Sequence, residues 1–381
     1  MKSKIPFNRA YDTGRELGHI GKAFASGHLS GDGAFTRACQ DWLQARTGCT
    51  RALLTTSGTA ALEMAALLLD IGAGDEVIVP SFTFVSTVNA FVLRGARPVF
   101  IDVRPDTFNM DEALLGSLIT PRTKAVVPVH YAGVGCEMDS IAAVVGPAGI
   151  PVVEDNAHGL LGTYRGRPLG SFGALAAQSF HETKNFSCGE GGALLINEPA
   201  YTERAEIIRE KGTNRSRFFR GQIDKYTWVD IGSSFLPSDI LAAVLCSQFE
   251  SAGDIQARRR RIWEHYRQHL ADWAEAQGVR MPVVPPHCGQ PWHLFPLLLP
   301  SLGDRQGLIA HLRAAGIVAV FHYVPLHLSE MGRRFGGRPG LCPVTEDVSD
   351  RLLRLPLFAG MTDEQLERVV ESVREFRTGR A

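Results

Sequence analysis

A single lysine stands in the segment SFHETKNFSCGEGGALLI, residues 179 to 196, between two apolar runs. Lys184 has polar neighbours on both sides, and a glycine cluster follows it. A lysine amine held in a protected site is a nucleophile that forms Schiff bases with carbonyl groups. Lysines in loops are more often simply solvated. The chemical interpretation of Lys184 therefore depends on which other groups accompany it.

In the segment PVVEDNAHG a strand-like run ends in two acids, Glu154 and Asp155, and Asp155 lies 29 residues before that lysine. Side chains alternate along a strand, so Glu154 and Asp155 point to opposite faces and do not share a proton. An acid at the carboxyl end of a buried strand is well placed to meet a ligand. Capping of the next helix is the rival interpretation of Asp155. His158 follows three residues later.

The segment TTSGTAALEMAA combines a strand end with a helix start. Free backbone N–H groups and the helix dipole at Gly58 and Thr59 form an anion site, and the Ser57 and Thr59 hydroxyls add donors. The same residues also serve as helix caps in many strand-to-helix turns. Taken alone, this segment favours a phosphate site only weakly.

An anion site, a carboxylate and an amine are together the set that pyridoxal phosphate needs. The helix start takes the phosphate, the carboxylate keeps the pyridine nitrogen protonated, and the lysine forms the Schiff base. The chain has no P-loop, no G-x-G-x-x-G after the first strand, no H-E-x-x-H and no G-x-S-x-G. We therefore predict a pyridoxal-phosphate site with Lys184 and Asp155, and no metal site.

Composition excludes several classes of protein. The 381 residues are 45% apolar and 21% charged, and 40 basic residues balance 40 acidic ones. This balance predicts a small-molecule partner rather than nucleic acid or a membrane surface. Seven scattered cysteines without a C-x-x-C pair, and no apolar run long enough for a membrane span, favour a cytoplasmic protein.

Strand-like and helix-like runs alternate through the first two thirds of the chain. The strand candidates are residues 52–56, 76–80, 97–103, 124–131 and 150–155. This alternation predicts an α/β fold with a mostly parallel, buried sheet. After an arginine-rich helix candidate at 257–273 and a proline-rich joint, the pattern becomes α+β and ends in a helix candidate at 362–376. We expect a large cofactor-binding domain at 1–250 and a smaller α+β domain at 251–381.

Five motifs resemble one known family along nearly the whole chain. VPVHYAG (127–133), VVEDNAHG (152–159), SFHETKN (179–185), GEGG (189–192) and FHYVPLH (321–327) are similar to the DegT/DnrJ/EryC1/StrS sugar aminotransferases. The resemblance implies fold type I, like aspartate aminotransferase, with pyridoxal phosphate and a homodimer whose active site lies at the subunit interface. It also implies that L-glutamate donates an amino group to a nucleotide-linked 4-keto-6-deoxyhexose.

The resemblance also assigns roles to individual positions. It makes Lys184 the Schiff-base lysine and proton shuttle, and Asp155 the partner of the pyridine nitrogen. The other positions that it places at the cofactor are Ser57, Gly58, Thr59, Phe84, His158 and Ser179. Candidates for contact with the substrate are Asn185, Arg215, Arg220, Lys225, Tyr226, His322 and Tyr323.

Two positions depart from the family pattern. Asn156 replaces an alanine of many relatives, which predicts altered packing beside the cofactor. Leu236 replaces an asparagine that reaches the neighbouring subunit's phosphate, and leucine cannot donate that hydrogen bond. Ser233 or Ser234 could replace the donor, or the contact could be missing.

Segments 31–37 and 208–234 are most similar to family members that convert dTDP-4-dehydro-6-deoxy-D-glucose into dTDP-4-amino-4,6-dideoxy-D-galactose. A 3-keto nucleotide-sugar aminotransferase remains the near alternative, since the cofactor residues do not distinguish the two positions. A sugar dehydratase of the same fold is disfavoured, because those relatives have histidine at the position of Lys184. A non-catalytic regulator that binds sugar nucleotides would not need the intact set of Thr59, Asp155 and Lys184.

Overall fold

The computed structural model describes residues 4–379. The helices are α1 (Glu16–Ala25), α2 (Ala34–Thr47), α3 (Gly58–Leu68), α4 (Val85–Val92), α5 (Glu112–Leu118), α6 (Met138–Val145), α7 (Thr202–Arg209), α8 (Arg215–Phe219), α9 (Asp239–Glu250), α10 (Ala252–Gln277), α11 (Leu302–Ala314), α12 (Glu330–Arg334), α13 (Pro343–Arg351) and α14 (Asp363–Glu375). The strands are β1 (Arg51–Thr55), β2 (Glu76–Pro80), β3 (Arg97–Ile101), β4 (Thr123–Val126), β5 (Val153–Asp155), β6 (Thr163–Tyr164), β7 (Arg167–Pro168), β8 (Leu175–Ser179), β9 (Gly192–Ile196), β10 (Cys288–Gly289), β11 (Pro296–Leu298), β12 (Val320–Phe321) and β13 (Leu352–Arg354).

Two groups of strands meet to form the central sheet. One group has the order β3-β2-β4 and the other β5-β8-β9-β1. Parallel bridges from Val126 to Val152 and from Val129 to Asp155 join them. Every neighbouring pair is parallel except those of β9, which runs antiparallel to both β1 and β8. The predicted α/β fold with a mostly parallel sheet is confirmed.

Buried, apolar strands explain this sheet, because parallel sheets are covered on both faces. All five residues of β2 and all five of β9 are buried. The predicted strand at 124–131 is wrong in its second half, since β4 ends at Val126. Pro128 has no N–H to donate to a ladder, and the chain continues as a loop towards the carboxyl end of β5.

A separate core forms in the C-terminal part. Residues between Ile262 and Val373 pack around the antiparallel sheet β11-β13-β12, and Ile5 joins them from the other end of the chain. The predicted arginine-rich helix is present as α10, and the predicted final helix as α14. Strand β13 was not predicted. The predicted domain boundary falls between α9 and α10 and stays a prediction.

Candidate active site

The start of α3 lies directly beside the end of β8. Ser57 caps the helix by accepting a hydrogen bond from the Ala60 N–H at 3.0 Å. A Cβ added to Gly58 would lie 3.0 Å from the Ser179 Cβ and 3.1 Å from the Gln178 carbonyl oxygen, so glycine suits this position. The approach brings free helical N–H groups and the hydroxyls of Ser57 and Ser179 together, which is the composition of an anion site.

Helix α4 connects this anion site to the acid at the end of β5. Thr59 Oγ1 donates to Ser86 Oγ at 2.8 Å, and the next residue, Thr87, donates to Asp155 Oδ2 at 2.7 Å. Thr83 lies 2.8 Å from the Thr87 hydroxyl. The two threonines therefore hold one carboxylate oxygen in place from the α4 side.

The other oxygen of that carboxylate caps a turn. Asp155 Oδ1 accepts the Ala157 N–H at 3.1 Å. The capping interpretation and the ligand interpretation are thus compatible, since each uses a different oxygen. The side chain is 6% exposed, and its neighbours are hydroxyls rather than a second acid.

Glu154, the other acid of the strand, has a structural environment. Its carboxylate accepts backbone N–H groups from Gly170, Phe172 and Gly173 at 2.6 to 2.8 Å, and it contacts His130 Nε2 at 2.8 Å. It is fully buried. The two acids therefore have different roles. Glu154 is occupied by hydrogen bonds to the backbone, whereas Asp155 lies on the other face of the strand, near Lys184.

Lys184 lies in the turn after β8, with its backbone N–H bonded to the His181 carbonyl at 2.9 Å. Burial lowers the pKa of its amine from 10.5 to about 8, an effect that the nearby Asp155 carboxylate opposes and the Arg354 guanidinium reinforces. A lysine with a pKa near 8 is neutral in roughly a fifth of molecules at pH 7.4, against about one in a thousand for an ordinary lysine. It therefore has the free electron pair that a nucleophile or a proton acceptor needs.

Three histidines lie near Lys184: His158, His293 and His322. We call them the histidine cluster. The His158 ring lies 4.4 Å from that of His293 and 6.3 Å from that of His322. Burial is the main cause that lowers the pKa of each well below 6.5, and the Lys184 charge contributes for each. The cluster is therefore neutral and polar rather than cationic.

Proton positions follow for one member of the cluster. The Ala132 N–H donates to His158 Nδ1 at 3.3 Å, which leaves the proton of the neutral ring on Nε2. Tyr131 completes the wall, with its hydroxyl 3.2 Å from His322 Nδ1. Tyr323 stacks on His322 at 3.5 Å between ring centres. The predicted residues His158, His322 and Tyr323 therefore lie together.

Asn185 is hydrogen-bonded to one member of the histidine cluster and to the backbone next to it. Its side chain donates to the Pro291 carbonyl at 2.7 Å, and its oxygen lies 2.8 Å from His293 Nδ1. These bonds join the turn containing Lys184 to the loop before β11. The predicted contact of Asn185 with the substrate stays a prediction.

The other predicted substrate residues lie on α8 and the following loop. Arg215 pairs with Glu210 at 3.8 Å and packs on Phe219, while Arg220 donates to Glu206 at 2.7 Å. Lys225 is exposed and Tyr226 is 49% exposed. Within residues 4–379 of one chain, no hydrogen bond or ion pair connects these four side chains to Lys184.

Phe84 and the two departures from the family pattern have clear places. Phe84 begins α4 beside Thr83 and is 58% exposed. Leu236 packs against Gly31, where an added Cβ would meet its side chain. Asn156 is fully buried and donates to the Leu169 carbonyl at 3.0 Å, in agreement with the predicted packing role.

Four further residues of the site were not predicted: Thr87, Tyr131, His293 and Arg354. Thr87 could have been found from the hydroxyl-rich segment SFTFVST, because a helix starts there. Tyr131 lies within the motif VPVHYAG, which marks that segment as part of the family pattern without assigning the tyrosine a role. His293 and Arg354 come from a distant loop and a distant strand, and no motif was recognised around them.

A scan against protein-family models matches residues 11–374 to the DegT/DnrJ/EryC1/StrS aminotransferase family. The chain belongs to this family. Among solved structures, the aminotransferase TlmJ from Streptoalloteichus hindustanus is 30% identical with a TM-score of 0.90, and the match covers 98% of each chain. DesV from S. venezuelae, in complex with ketimine intermediate, is 31% identical with a TM-score of 0.88 and the same coverage. Spr1654 from Streptococcus pneumoniae, assigned as a sugar aminotransferase and solved in its PLP form, is 28% identical over 97% of this chain and 98% of its own, with a TM-score of 0.90.

The family member is a pyridoxal-phosphate-dependent aminotransferase of fold type I. Its residues fit the cofactor. The anion site at α3 matches a phosphate, the threonine-held Asp155 matches a protonated ring nitrogen, and Lys184 has the lowered pKa of a Schiff-base lysine. The predictions of family, fold type, enzyme class and cofactor are confirmed.

Proposed function

We propose that this aminotransferase moves an amino group from L-glutamate to a nucleotide-linked 4-keto-6-deoxyhexose. The specific reaction is dTDP-4-dehydro-6-deoxy-D-glucose to dTDP-4-amino-4,6-dideoxy-D-galactose. The observation that supports it most is Lys184, whose pKa of about 8 and proximity to Asp155 occur in a chain matched to this family along 364 positions, from 11 to 374. Resemblance in segments 31–37 and 208–234 supports the choice of sugar.

The residues of the site divide the work. Bound pyridoxal phosphate supplies an electron sink for the carbanion formed when the α-proton leaves the amino donor. Asp155 holds the proton on the ring nitrogen, and Thr87 keeps that carboxylate in place. The amine of Lys184 removes the α-proton of the amino donor. In the second half of the reaction the same amine delivers a proton to the sugar carbon that receives the amino group. Gly58, Thr59, Ser57 and Ser179 would hold the phosphate, and Phe84 would stack on the ring.

We also propose a homodimer with the active site at the subunit interface. Large apolar side chains are exposed on α1, on α8 and on the loop after it, including Leu17 at 84%, Phe219 at 69% and Trp228 at 76%. Exposed apolar groups of this size indicate a covered surface. In a dimer, Arg215, Lys225 and Tyr226 would reach a partner's substrate, since cations match diphosphate oxygens and tyrosine stacks on a base.

The free state of all seven cysteines fits a reducing compartment, and we propose the cytoplasm. No helix within residues 4–379 is long and apolar enough to span a bilayer.

Three measurements, made one after another, test the cofactor lysine, the acceptor sugar and the configuration of the product. Borohydride reduction of the holoenzyme, followed by peptide mass spectrometry, should place the pyridoxyl group on Lys184, and its presence on another lysine would contradict the assignment. Incubation with L-glutamate and keto sugars on dTDP, UDP and GDP should release more than one equivalent of 2-oxoglutarate per active site only with the correct acceptor. Small proton couplings at H4 of the product indicate the axial amine of the galacto sugar, and two large couplings indicate the gluco sugar.

The same panel separates the alternatives. A 3-keto acceptor that supports faster turnover would favour 3-amination. A protein that binds the sugar nucleotide without transfer would favour a regulator, but such a protein would not need the intact set of Thr59, Asp155 and Lys184.

A further inference from the structure

A histidine, a cysteine and a glutamate meet where helix α1 packs on helix α9. His19 lies on α1, whereas Cys246 and Glu250 lie one turn apart on α9. His19 Nε2 contacts Glu250 Oε1 at 3.0 Å, and Cys246 Sγ lies 3.8 Å from the same oxygen. A nitrogen, a sulfur and an oxygen atom therefore converge on one point between the two helices.

The surrounding residues hold these side chains in place. His19 is 8% exposed, and its ring lies against that of Phe35 with 5.3 Å between the ring centres. Arg15 contacts the other oxygen of Glu250, Oε2, at 3.4 Å. The Arg15 contact leaves Oε1 directed towards His19 and Cys246.

The separations of the three atoms suit a tetrahedral metal ion. Zinc binds nitrogen and oxygen at about 2.0 to 2.2 Å and sulfur at about 2.3 Å, so its ligand atoms lie about 3.3 to 3.7 Å apart. The three atoms all lie within 4.8 Å of one another, and small side-chain rotations bring them onto one ion. Within residues 4–379, no other group of three or more His, Cys, Asp and Glu side chains has this geometry.

The chemistry of the ligands selects the metal. Magnesium and calcium prefer oxygen ligands, whereas imidazole and thiolate suit zinc. The Cys39 thiol forms a hydrogen bond with Cys246 from the protein interior, and such a bond favours the thiolate that binds metals. The Cys246 thiolate and the Glu250 carboxylate together match the charge of a divalent ion. The Glu250 side chain is 42% exposed, so water reaches the fourth ligand position.

A simple ion pair is the competing explanation of this cluster. His19 and Glu250 form a hydrogen bond that needs no metal. That pair does not require a sulfur atom beside the shared oxygen, whereas a zinc ion does use it as a third ligand. The two explanations therefore differ in the role that they give to Cys246.

We propose that His19, Cys246 and Glu250 bind one zinc ion, with water as the fourth ligand, and that this ion joins α1 to α9. The site goes beyond the proposed function, because none of its side chains contacts a residue placed at the cofactor within residues 4–379. The sequence analysis predicted no metal site. Two of the ligands, His19 and Glu250, lie 231 residues apart, so the chain lacks the short ligand spacing of a zinc motif.

Cobalt(II) is the probe for the first test, because it occupies tetrahedral zinc sites and is coloured. The holoenzyme is freed of metal with a chelator, kept reduced with a phosphine and titrated with cobalt chloride. One equivalent per chain should produce the strong visible bands of a tetrahedral ion and a sulfur-to-cobalt charge-transfer band. Zinc should then displace the cobalt and abolish both signals. No binding, or the weak bands of octahedral cobalt without a charge-transfer band, would overturn the proposal.

Substitution of the ligands tests their identity. Cys246→Ser, His19→Gln and Glu250→Gln should each weaken zinc binding at least about 100-fold, since changes even beside a metal ligand cost about 10- to 100-fold. Cys288→Ser is the matched control, because Cys288 is also partly exposed but lies in β10, and it should keep wild-type affinity. The absorbance of bound cofactor shows which variants are folded, and the wild-type cobalt spectrum decides the proposal if a variant is not. A folded Cys246→Ser protein that binds zinc as tightly as wild type would reject the site.

Thermal unfolding provides a readout that does not depend on spectra of the metal. Zinc should stabilise the folded chain, because the ligands on α1 and α9 come together only on folding. At a hundredfold excess of zinc over its Kd, the Tm of wild type should rise by about 3 °C, and that of Cys246→Ser should not change. An equal rise in both proteins would place the metal elsewhere and overturn the proposal.

Discussion

At the scale of single residues, the acid–base state of Lys184 is the property on which the chemistry depends. Burial lowers the pKa of its amine to about 8, so Lys184 should lose its proton at a lower pH than an ordinary lysine does. In the cofactor-free protein, acylation of Lys184 should therefore rise with a midpoint near pH 8. Peptide mass spectrometry after brief labelling with acetic anhydride measures this, with exposed Lys124 as the internal reference. A midpoint above pH 10 would show that burial does not control the amine.

Thr87 is a second residue whose role can be measured. Its hydroxyl donates to Asp155 at 2.7 Å, and hydrogen bonds to charged groups contribute about 1.5 to 3 kcal/mol. Thr87→Val keeps the shape and removes the donor, so we expect kcat to fall about tenfold or more and the cofactor to dissociate more easily. Thr87→Ser should restore both. Unchanged turnover in the valine variant would mean that the turn at Ala157 alone positions Asp155.

Sequence reasoning found residues whose position along a strand already indicates chemistry. Asp155 ends a buried strand, Lys184 follows another, and Ser57 caps a helix, so local patterns were sufficient to select them. Arg354 and His293 could not be found in this way. They reach the site through contacts between parts of the chain that are more than 100 residues apart, and no local period records such contacts.

At the scale of elements, the contact between β9 and the start of α3 shapes the anion site. Gly192 pairs with both Thr55 and Ser179, and an added Cβ would lie 2.3 Å from the carbonyl carbon of Ser57 and 2.5 Å from the Gly58 nitrogen. Backbone atoms cannot rotate aside, so the helix start would have to move. In the glycine cluster after Lys184, position 192 therefore requires glycine, because any side chain there would collide with the start of α3.

The substitution Gly192→Ala tests that requirement. We expect it to destabilise the protein by about 1 to 3 kcal/mol, as overpacking does, and to weaken cofactor binding more than tenfold. Urea unfolding and cofactor titration measure the two effects. Gly253→Ala is the control, since Gly253 lies in α10 with no atom within 4 Å of an added Cβ, and alanine favours helix. Equal behaviour of the two variants would contradict the steric argument.

The elements themselves were predicted where they are long or wholly apolar. Strand β2 has the predicted bounds, and α10 and α14 lie where the helical pattern placed them. The antiparallel direction of β9 was not predicted, because a buried run has the same composition in either direction. Strands β6, β7 and β10 have two residues each, too few to show a period.

At the scale of the whole molecule, the site should lower stability when the cofactor is absent. Folding moves the pKa of Lys184 from 10.5 down to about 8, so the folded protein disfavours the charged form that the unfolded chain keeps. The cost is complete below pH 8, fades as pH rises towards 10.5, and is absent above it. It amounts to about 3 kcal/mol at most.

Lys184→Met should therefore stabilise the cofactor-free protein at pH 7, and its advantage over wild type should shrink between pH 8 and pH 10.5. Urea unfolding at both ends of this range, at one protein concentration, provides the measurement. Lys124→Met is the control for loss of an exposed lysine. An advantage that does not change with pH would reflect methionine packing rather than the buried charge.

The pairing of Ile5 with Ile317 affects the order in which parts of the chain can fold during synthesis. Ile5 is fully buried, its N–H bonds to the Gly316 carbonyl at 2.9 Å, and its carbonyl accepts the Val318 N–H at 3.0 Å. At 5 to 20 residues per second, the ribosome needs roughly 15 to 60 s to translate the roughly 310 residues between these partners. The segment around Ile5 therefore has no strand partner while the ribosome synthesises the sheet that ends at Asp155 and the turn with Lys184. A nascent chain can thus form the part of the site around Asp155 and Lys184 early, and gains the side with His322 and Arg354 only after those residues have been synthesised.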